Sequence, residues 1–267
     1  MTGFIKTNLF AATAFAALLS TSVGAFAADR VSADMGISYN SHFVSYGADV
    51  WGGGNDFYGN NSTTFVYGDL YIAPTEASQI FLNVWTDNNK NVPSAIGGSL
   101  QEIDLNIGGS YKFGIVTVGA AYGSWNYASD TEESVEGSIA LDDSGFSPFS
   151  LSPKITYHER TSANGAQGLG AVILGSIGHT FPLGDDGVTL TVPLTVAFFT
   201  DDFGAEDGYA YTSGGVSLGV PLNFISPDFG AWSMNFDIIG YTTDSGALPG
   251  NLEEDFITGQ VGLKVAF

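Results

Sequence analysis

Charged residues alternate with apolar residues in several segments of the chain, and these charged residues are the candidates for chemical function. In residues 101–113, Glu102, Asp104 and Lys112 alternate with isoleucine, leucine and tyrosine. Alternation with a period of two puts the polar side chains on one face of a β-strand and the apolar side chains on the other. Fixed carboxylates and amines on such a face attract or repel ions.

The same phase, applied along the chain, predicts one set of charged residues on the polar face. The set is Asp34, Asp69, Glu102, Asp104, Lys112, Glu136, Lys154, Asp237 and Lys264. Acids outnumber bases in it, so we expect a negative lining that favours cations if the face borders a water-filled path. The alternative is that these charges pair with one another and fill a narrow interior, as Lys112 with Asp104 or Glu102 would do.

A second group of acids lies in segments without alternation. Asp201, Asp202, Glu206 and Asp207 are expected in one outer loop, and residues 253–255 and 130–133 add further acids in two others. Their carboxylates suit Ca²⁺, but the spacing departs from that of an EF-hand loop. Solvated loop tips and cation bridges to lipopolysaccharide phosphates are the alternatives. We predict neither a metal site nor a cofactor.

Catalysis by a serine and a histidine is the remaining chemistry to consider. His158 precedes Ser162 by four residues, which is about 13 Å along a strand. A nucleophile and its base must approach to about 3 Å. The spacing therefore predicts no catalytic residues, and an interfacial lipid-modifying enzyme is the less favoured reading.

Composition excludes several other classes of function. The chain of 267 residues has 7 Lys and Arg against 28 Asp and Glu, a formal net charge of −21. This charge argues against nucleic-acid binding, which needs a basic surface. The absence of cysteine excludes disulfides and thiolate metal sites. The 36 glycines and the 13% of aromatic residues suit a wall that faces lipid.

The first 28 residues have the features of a secretory signal peptide. Lys6 provides a positive start, residues 9–19 are a short apolar stretch, and Ala25-Phe26-Ala27 resembles a cleavage site. We therefore predict two parts, a signal peptide at 1–28 and a barrel at 29–267.

The remaining chain predicts an all-β transmembrane barrel. It contains no stretch of about 20 apolar residues, so a membrane-spanning form must be a closed barrel without free strand edges. We predict an antiparallel up-and-down barrel of about twelve strands, with ten or fourteen as alternatives. The predicted strands are 30–43, 63–74, 78–87, 101–113, 114–127, 133–141, 147–159, 168–182, 187–200, 208–224, 230–243 and 254–267.

The connections and the last strand support this prediction. Mostly long polar connections alternate with mostly short ones, as in barrels with short periplasmic turns and long outer loops. In the last strand Val261, Leu263, Val265 and Phe267 share one face. This resembles the C-terminal signature of bacterial outer-membrane proteins. The resemblance implies that these four residues form the segment read by the barrel assembly machinery.

The opening strand carries a looser family resemblance. Residues 31–43, VSADMGISYNSHF, resemble the first strand of the TorF-type putative porins of proteobacteria. The chain has Val44-Ser45-Tyr46-Gly47 where that family has an Arg-Gly pair. The resemblance implies a pore role and assigns no site residues.

Together these patterns predict a non-enzymatic protein of the bacterial outer membrane. The expected function is a porin-like channel for passive diffusion of small polar solutes, with a preference for cations. The alternative is a closed structural or adhesive barrel whose acidic loops bind lipopolysaccharide, a metal or a partner. The expected partners are outer-membrane lipids, lipopolysaccharide, the assembly machinery and small solutes or cations. The oligomeric state is left open.

Overall fold

The structure is a computed structural model that describes residues 30–127, 130–146, 149–163 and 168–267. The predicted signal peptide, residues 1–28, lies outside the described residues and stays a prediction. In the described ranges, no helix has both the length and the hydropathy to cross a bilayer.

Twelve antiparallel strands close into one barrel in the described residues, which confirms the predicted fold class. Two further strands are short and are not part of the barrel sheet. All the strands, in chain order, are β1 (Val31–Asn40), β2 (Val44–Ser45), β3 (Ala48–Asp49), β4 (Thr63–Thr75), β5 (Ser78–Asn88), β6 (Leu100–Phe113), β7 (Val116–Tyr127), β8 (Asp130–Leu141), β9 (Lys154–Ser162), β10 (Ala171–Pro182), β11 (Thr189–Thr200), β12 (Gly208–Pro221), β13 (Ala231–Thr243) and β14 (Asp255–Ala266). The two-residue strands β2 and β3 pair only with each other. β1 pairs with both β4 and β14, so the barrel has no free edge.

The two faces of the barrel wall differ as the alternation predicts. Outward side chains are apolar and exposed, for example Ile107 at 50% and Ile155 at 62%. Inward polar side chains are buried, for example Asn83 and His158. Exposure of such an apolar belt to water costs about 25 cal/mol of free energy per Å² of apolar surface, and contact with a bilayer removes that cost. The outward face is therefore a lipid-facing belt.

Aromatic residues lie on the outward face toward both ends of the barrel. Tyr39, Tyr122 and Tyr157 are exposed on outward positions near one end, and Phe224 is exposed near the other. Trp232 lies next to that second end and donates its indole N–H to the carbonyl of Phe229 at 2.9 Å. Aromatic residues at these depths are typical of the two membrane interfaces.

The expected alternation of loop length holds only in part. We call the end where β1 finishes the outer end, and the end near Phe267 the inner end. The outer connections are 41–62, 89–99, 128–129, 163–170, 201–207 and 244–254, and the inner ones are 76–77, 114–115, 142–153, 183–188 and 222–230. Among the connections that are described in full, the outer one at 201–207 has seven residues, while the inner one at 222–230 has nine.

The inner turn at 142–153 explains the largest error in the predicted strands. The seventh strand was predicted at 147–159, but β9 covers Lys154–Ser162. The Asp143 carboxylate accepts hydrogen bonds from the Ser150 hydroxyl at 2.5 Å and from the backbone N–H groups of Leu151 and Ser152 at 2.8 and 3.0 Å. These bonds close the turn over residues whose composition resembles a strand.

Candidate functional site

The barrel interior is the candidate site, and the predicted charged residues occupy inward positions of the wall. Cross-strand pairing groups them by depth: Asp34 pairs with Asp69, and Lys264 lies beside Asp34 at the inner end. Glu102 and Asp104 lie in the outer half of β6, and Glu136 lies between the two levels on β8. The lining therefore divides into an inner half and an outer half.

The inner half is polar and partly open to water. Lys264 Nζ contacts Asp34 Oδ2 at 2.6 Å, and the two side chains are 29% and 19% exposed. Asn106 donates a hydrogen bond to Asn83 at 2.9 Å, and Asn83 donates to Asp69 at 2.8 Å. On β14, β1, β4, β5 and β6 the inner lumen is therefore lined by charged and amide side chains linked across neighbouring strands.

Lys112 does not pair with Asp104 or Glu102, which corrects the pairing considered above. Its ammonium contacts Asp142 Oδ2 at 3.0 Å in the inner turn. Lys112 follows Asp104 by eight residues, about 26 Å along the strand, so the two lie at different depths of the barrel. The pair adds only modestly to stability because both side chains are more than a third exposed.

The acids of the outer half are almost completely buried. Glu102 is 1% exposed, and Asp104 and Asp87 have no exposed surface. Asp87 pairs directly with Glu102 across β5 and β6. Asp87 was not among the predicted lining residues because the predicted strand placed it at a strand end. In this state, these carboxylates face packed protein and not a water-filled path.

A loop folded into the barrel causes this burial. We call residues 41–62 loop L1, and it starts where β1 ends, so the predicted extension of β1 to residue 43 is wrong. Phe43 is 1% exposed and packs on the inward rings of Trp85 and Phe65 at centroid distances of 5.4 and 5.3 Å. The chain turns inward after Asn40 because this aromatic pocket removes the Phe43 ring from water.

L1 crosses the whole lumen. The Tyr46 ring lies 4.9 Å from the His158 ring, and His158 belongs to β9. In the closed order of strands, β9 is six strands from β1 in either direction, so it lies diametrically opposite. The Tyr46 ring also meets Phe203 edge to face at 5.3 Å. L1 therefore closes the outer half of the lumen from one wall to the other.

A small number of polar contacts hold L1 in this position. The Trp51 indole N–H donates to Asp87 Oδ2 at 3.0 Å. The Asn251 side chain accepts from the Asp49 N–H at 2.8 Å and donates to the Gly47 carbonyl at 2.9 Å. The Ser41 N–H donates to the Gly259 carbonyl at 2.8 Å. L1 is thus attached to β5, β14 and the 244–254 loop through individual hydrogen bonds and not through a continuous ladder.

Three groups on L1 have a raised pKa, namely Tyr46, Asp49 and Tyr58. Burial raises the pKa of Asp49, against the opposing effect of the Gly54 N–H, which donates to its carboxylate at 2.7 Å. Burial also raises the pKa of the Tyr46 phenol well above its ordinary value, and the charge of Glu136 adds to that shift. Tyr46 is therefore neutral at the bottom of L1 and near Glu136.

Sequence reasoning placed Glu132 in an outer loop, and the structure corrects this. β8 begins at Asp130, and Glu132 is buried inside the barrel, where its Oε1 contacts Arg160 Nε at 2.7 Å. The Arg160 guanidinium carbon lies 3.8 Å from the centre of the Phe203 ring, and its NH1 donates to the Phe203 carbonyl at 2.8 Å. The period-two pattern continues through Glu132 and Arg160 and was the available signal for both.

The predicted outer-loop acids lie where expected but do not form a cluster. Asp201, Asp202, Glu206 and Asp207 are exposed, and Asp201 and Asp202 have positive φ angles of 56° and 67°. No group of three or more His, Asp or Glu side chains in the described residues is placed to hold a metal ion. The metal alternative for this loop gains no support from its geometry.

The predicted assembly residues form the seam of the barrel. Val261 is 39% exposed on the outward face and Phe267 is 63% exposed, whereas Val265 is only 7% exposed and lies against Gly230. The Phe267 backbone exchanges two hydrogen bonds with Ala33, at 2.9 and 3.2 Å. The Phe267 side chain is therefore free for another contact, while its backbone closes the barrel. Its role in assembly stays a prediction.

Two serine–histidine pairs, Ser162 with His158 and Ser41 with His42, differ in how close their side chains lie. His158 is covered by Trp125, which stacks on it at 5.1 Å with an interplanar angle of 14°, and no hydrogen bond joins it to Ser162 in the described residues. The Ser41 hydroxyl and His42 Nδ1 lie 2.8 Å apart, which is within reach for proton transfer. Ser41 has no exposed surface, so a substrate cannot reach it in this state.

Comparison with known proteins adds information on the fold. No protein-family model matches the chain. No curated protein matches it in sequence. Among solved structures, the NanC porin aligns with a TM-score of 0.50 and 12% identity over 88% of this chain and 98% of that chain.

Two other solved barrels have similar coverage. The KdgM porin aligns with a TM-score of 0.49 and 10% identity over 88% of this chain and 99% of that chain. LpxR from Salmonella typhimurium aligns with a TM-score of 0.48 and 9% identity over 87% and 99%. With its lipid-facing belt and closed twelve-stranded wall, the chain has the fold of the outer-membrane β-barrel porins.

Proposed function

We propose that the protein is an outer-membrane channel for small polar solutes, with a preference for cations, and that L1 closes it in the state described. One observation carries the proposal: loops fill the outer half of the lumen, because L1 and residues of the 201–207 and 244–254 loops pack on inward side chains of the wall. Wall side chains that fill a narrow barrel cannot leave it, whereas a loop held by individual hydrogen bonds can move on a microsecond to millisecond timescale.

The charge of the lining supports the preference for cations. The inward acids in the described strands are Asp34, Asp69, Asp87, Glu102, Asp104, Glu132, Glu136 and Asp237. The inward bases are Lys112, Lys154, Arg160 and Lys264. Arg160 and Lys264 are held by Glu132 and Asp34, so the carboxylates in excess set the sign of the potential along the opened path.

Planar bilayers test this proposal directly. We expect stepwise conductance with a closed state that predominates, and a reversal potential that favours cations under a salt gradient. Asp104→Asn together with Asp237→Asn should reduce the cation preference, and Asp228→Asn in the inner turn is the control. Absence of conductance from a variant that lacks residues 44–58, reconstituted at high protein load, would refute the channel.

A second candidate function is a closed barrel whose acidic outer loops bind lipopolysaccharide, a divalent cation or another partner. The near-complete burial of the outer lumen favours it. It predicts that removal of L1 produces no conductance, while substitution of Asp201, Asp202, Glu206 and Asp207 by Asn weakens retention on lipopolysaccharide in Mg²⁺ buffer. The deletion of residues 44–58 therefore distinguishes the two proposed functions, because only the channel predicts conductance from that variant.

The proposed pore role agrees with the family that the opening strand resembles. The resemblance of residues 31–43 to the TorF-type putative porins supports a pore role. An enzymatic role as a lipid-modifying barrel is the weakest candidate, because both serine–histidine geometries lack substrate access or contact. Loss of a lipid-modifying activity in His158→Ala would be needed to establish it.

A further inference from the structure

A small cavity lies in the lumen directly beneath Tyr46. Its lining comes from four neighbouring strands and from L1, namely Tyr46, Asn106, Ala121, Gly123, Trp125, Ser134, Glu136 and His158. Its volume of about 20 Å³ is enough for one or two small heavy atoms. Most of these residues are polar, which distinguishes the cavity from a packing defect between apolar side chains.

Gly123 forms the floor of the cavity. A methyl group on its inward side would lie 2.5 Å from Asn106 Oδ1, 2.9 Å from Ser134 Oγ and 3.6 Å from Trp125 Nε1. Polar atoms from three strands therefore lie directly against Gly123, and a larger residue there would displace them. Convergent polar groups around a preformed space are typical of small-molecule sites.

The groups around this space include the acceptor oxygens of Asn106 and Glu136, the Ser134 hydroxyl, which can donate or accept, and the Trp125 N–H donor. The Asn106 amide nitrogen already donates to Asn83, so the Asn106 oxygen is the group that faces Gly123. His158 is only 2% exposed, and its Nε2 has no hydrogen-bond partner in the described part of the chain. A buried ring nitrogen without a partner leaves a polar group unsatisfied unless something in the cavity donates to it.

The local charge favours a cation. Glu136 lines the cavity and forms no ion pair in the described residues, although Lys154 acts on it from farther away. Arg160, the other base nearby, contacts Glu132. Glu136 is thus the carboxylate that would attract a cation in the cavity.

We propose that this cavity is a binding site for a small protonated amine. The ammonium N–H groups would donate to Asn106 Oδ1, Ser134 Oγ and His158 Nε2, and its charge would lie beside Glu136. No group of three His, Asp or Glu side chains in the described residues is placed to hold a metal ion, while a neutral solute would gain nothing from the charge of Glu136. The Tyr46 ring closes the site on its outer side, so L1 covers a bound amine.

The inference deepens the proposed channel by naming a class of solute that it would hold. Binding does not require conduction, so the two proposals fail separately. The purified full-length barrel in detergent is titrated calorimetrically with methylammonium chloride at constant ionic strength. Methanol, which has a similar size without the charge, and sodium chloride are titrated in parallel. We expect saturable binding of methylammonium and no measurable binding of methanol.

Two variants locate the site. Gly123→Ala fills the floor and should abolish methylammonium binding. Gly137→Ala is the matched control, because nothing lies within 4 Å of a methyl group at that outward position of β8. Glu136→Gln keeps the shape of the side chain and should weaken binding roughly tenfold or more, the value of a hydrogen bond to a charged group.

Three results would overturn the site. They are wild-type affinity in Gly123→Ala, equal binding of methanol and methylammonium, and heats no larger than those of sodium chloride, as expected for a cavity that holds only water. If Gly123→Ala fails to fold, judged by heat-modifiable migration on gels, Glu136→Gln decides alone: an unchanged affinity refutes the proposal.

Discussion

The indole N–H of Trp51 donates a hydrogen bond of 3.0 Å to the carboxylate of Asp87, and this bond joins the middle of L1 to the lumen-facing side of the barrel wall. Asp87 also accepts from the Thr63 hydroxyl, at the start of β4. One carboxylate thus holds L1 and the strand that follows L1. This contact is one of several that hold L1 in the closed lumen, and it depends on one buried carboxylate.

Loss of this hydrogen bond should favour the open state. Trp51→Phe retains most of the aromatic packing but removes the donor, and a hydrogen bond to a charged group contributes about 1.5–3 kcal/mol. We expect the ratio of open to closed states in single-channel recordings to rise about tenfold or more. Trp232→Phe, at an inner turn, serves as the control. An unchanged open probability in Trp51→Phe would show that this contact does not hold L1.

The buried pair of Glu132 and Arg160 should make a large contribution to stability when only one partner is removed. Arg160→Met leaves Glu132 buried without its counter-charge, a change that typically costs about 3–5 kcal/mol. The measurement is the urea midpoint of unfolding in detergent micelles. Lys264→Met is the matched control and should cost less, because the Lys264–Asp34 pair is partly exposed. Equal losses would mean that the two sites are equally solvated.

Asp143 should control the inner turn in a pH-dependent way. Its hydrogen bonds to Ser150, Leu151 and Ser152 lower the pKa of its carboxyl to about 2. A lowered pKa means that the turn is stabilised above the ordinary carboxyl range, and that the stabilisation is lost as the pH falls through about 2.

Hydrogen exchange measures this effect at neutral pH. Asp143→Asn should speed exchange of the Leu151 and Ser152 amides, while Asp186→Asn in another inner turn should leave them unchanged. Carbon-detected titration of the Asp143 carboxyl should give a midpoint well below that of an ordinary aspartate. A midpoint in the ordinary range would contradict the geometry of this turn.

Phe267 should matter for assembly more than for the stability of the folded barrel. Its side chain is 63% exposed, while its backbone forms the seam with Ala33. Phe267→Ala should therefore lower the amount of barrel in the outer membrane of cells and shift the unfolding midpoint of the purified protein only slightly. Deletion of residue 267 should reduce both, because it removes the backbone pair. A large loss of stability in Phe267→Ala would contradict this separation.

The sequence by itself determined the wall of the barrel. Strict alternation is a local property, and in segments such as β6 and β11 it assigns each side chain to a face wherever the strand pairs. The number of strands, most of their bounds and the inward positions of nine charged residues could therefore be predicted, whereas the inward positions of Asp87, Glu132 and Arg160 were missed. The seventh predicted strand was wrong because Asp143 closes a turn over residues that also fit a strand.

Only the tertiary structure decided what occupies the interior. Nothing local in residues 41–62 indicates that they fold inward, because the contacts that hold them come from distant parts of the chain. Asp49 and Asn251 are separated by 202 residues, and Tyr46 reaches a strand on the opposite wall. The partner of Lys112, the burial of Glu132 and the cavity over Gly123 depend in the same way on the closed register, which brings together side chains that the sequence keeps far apart.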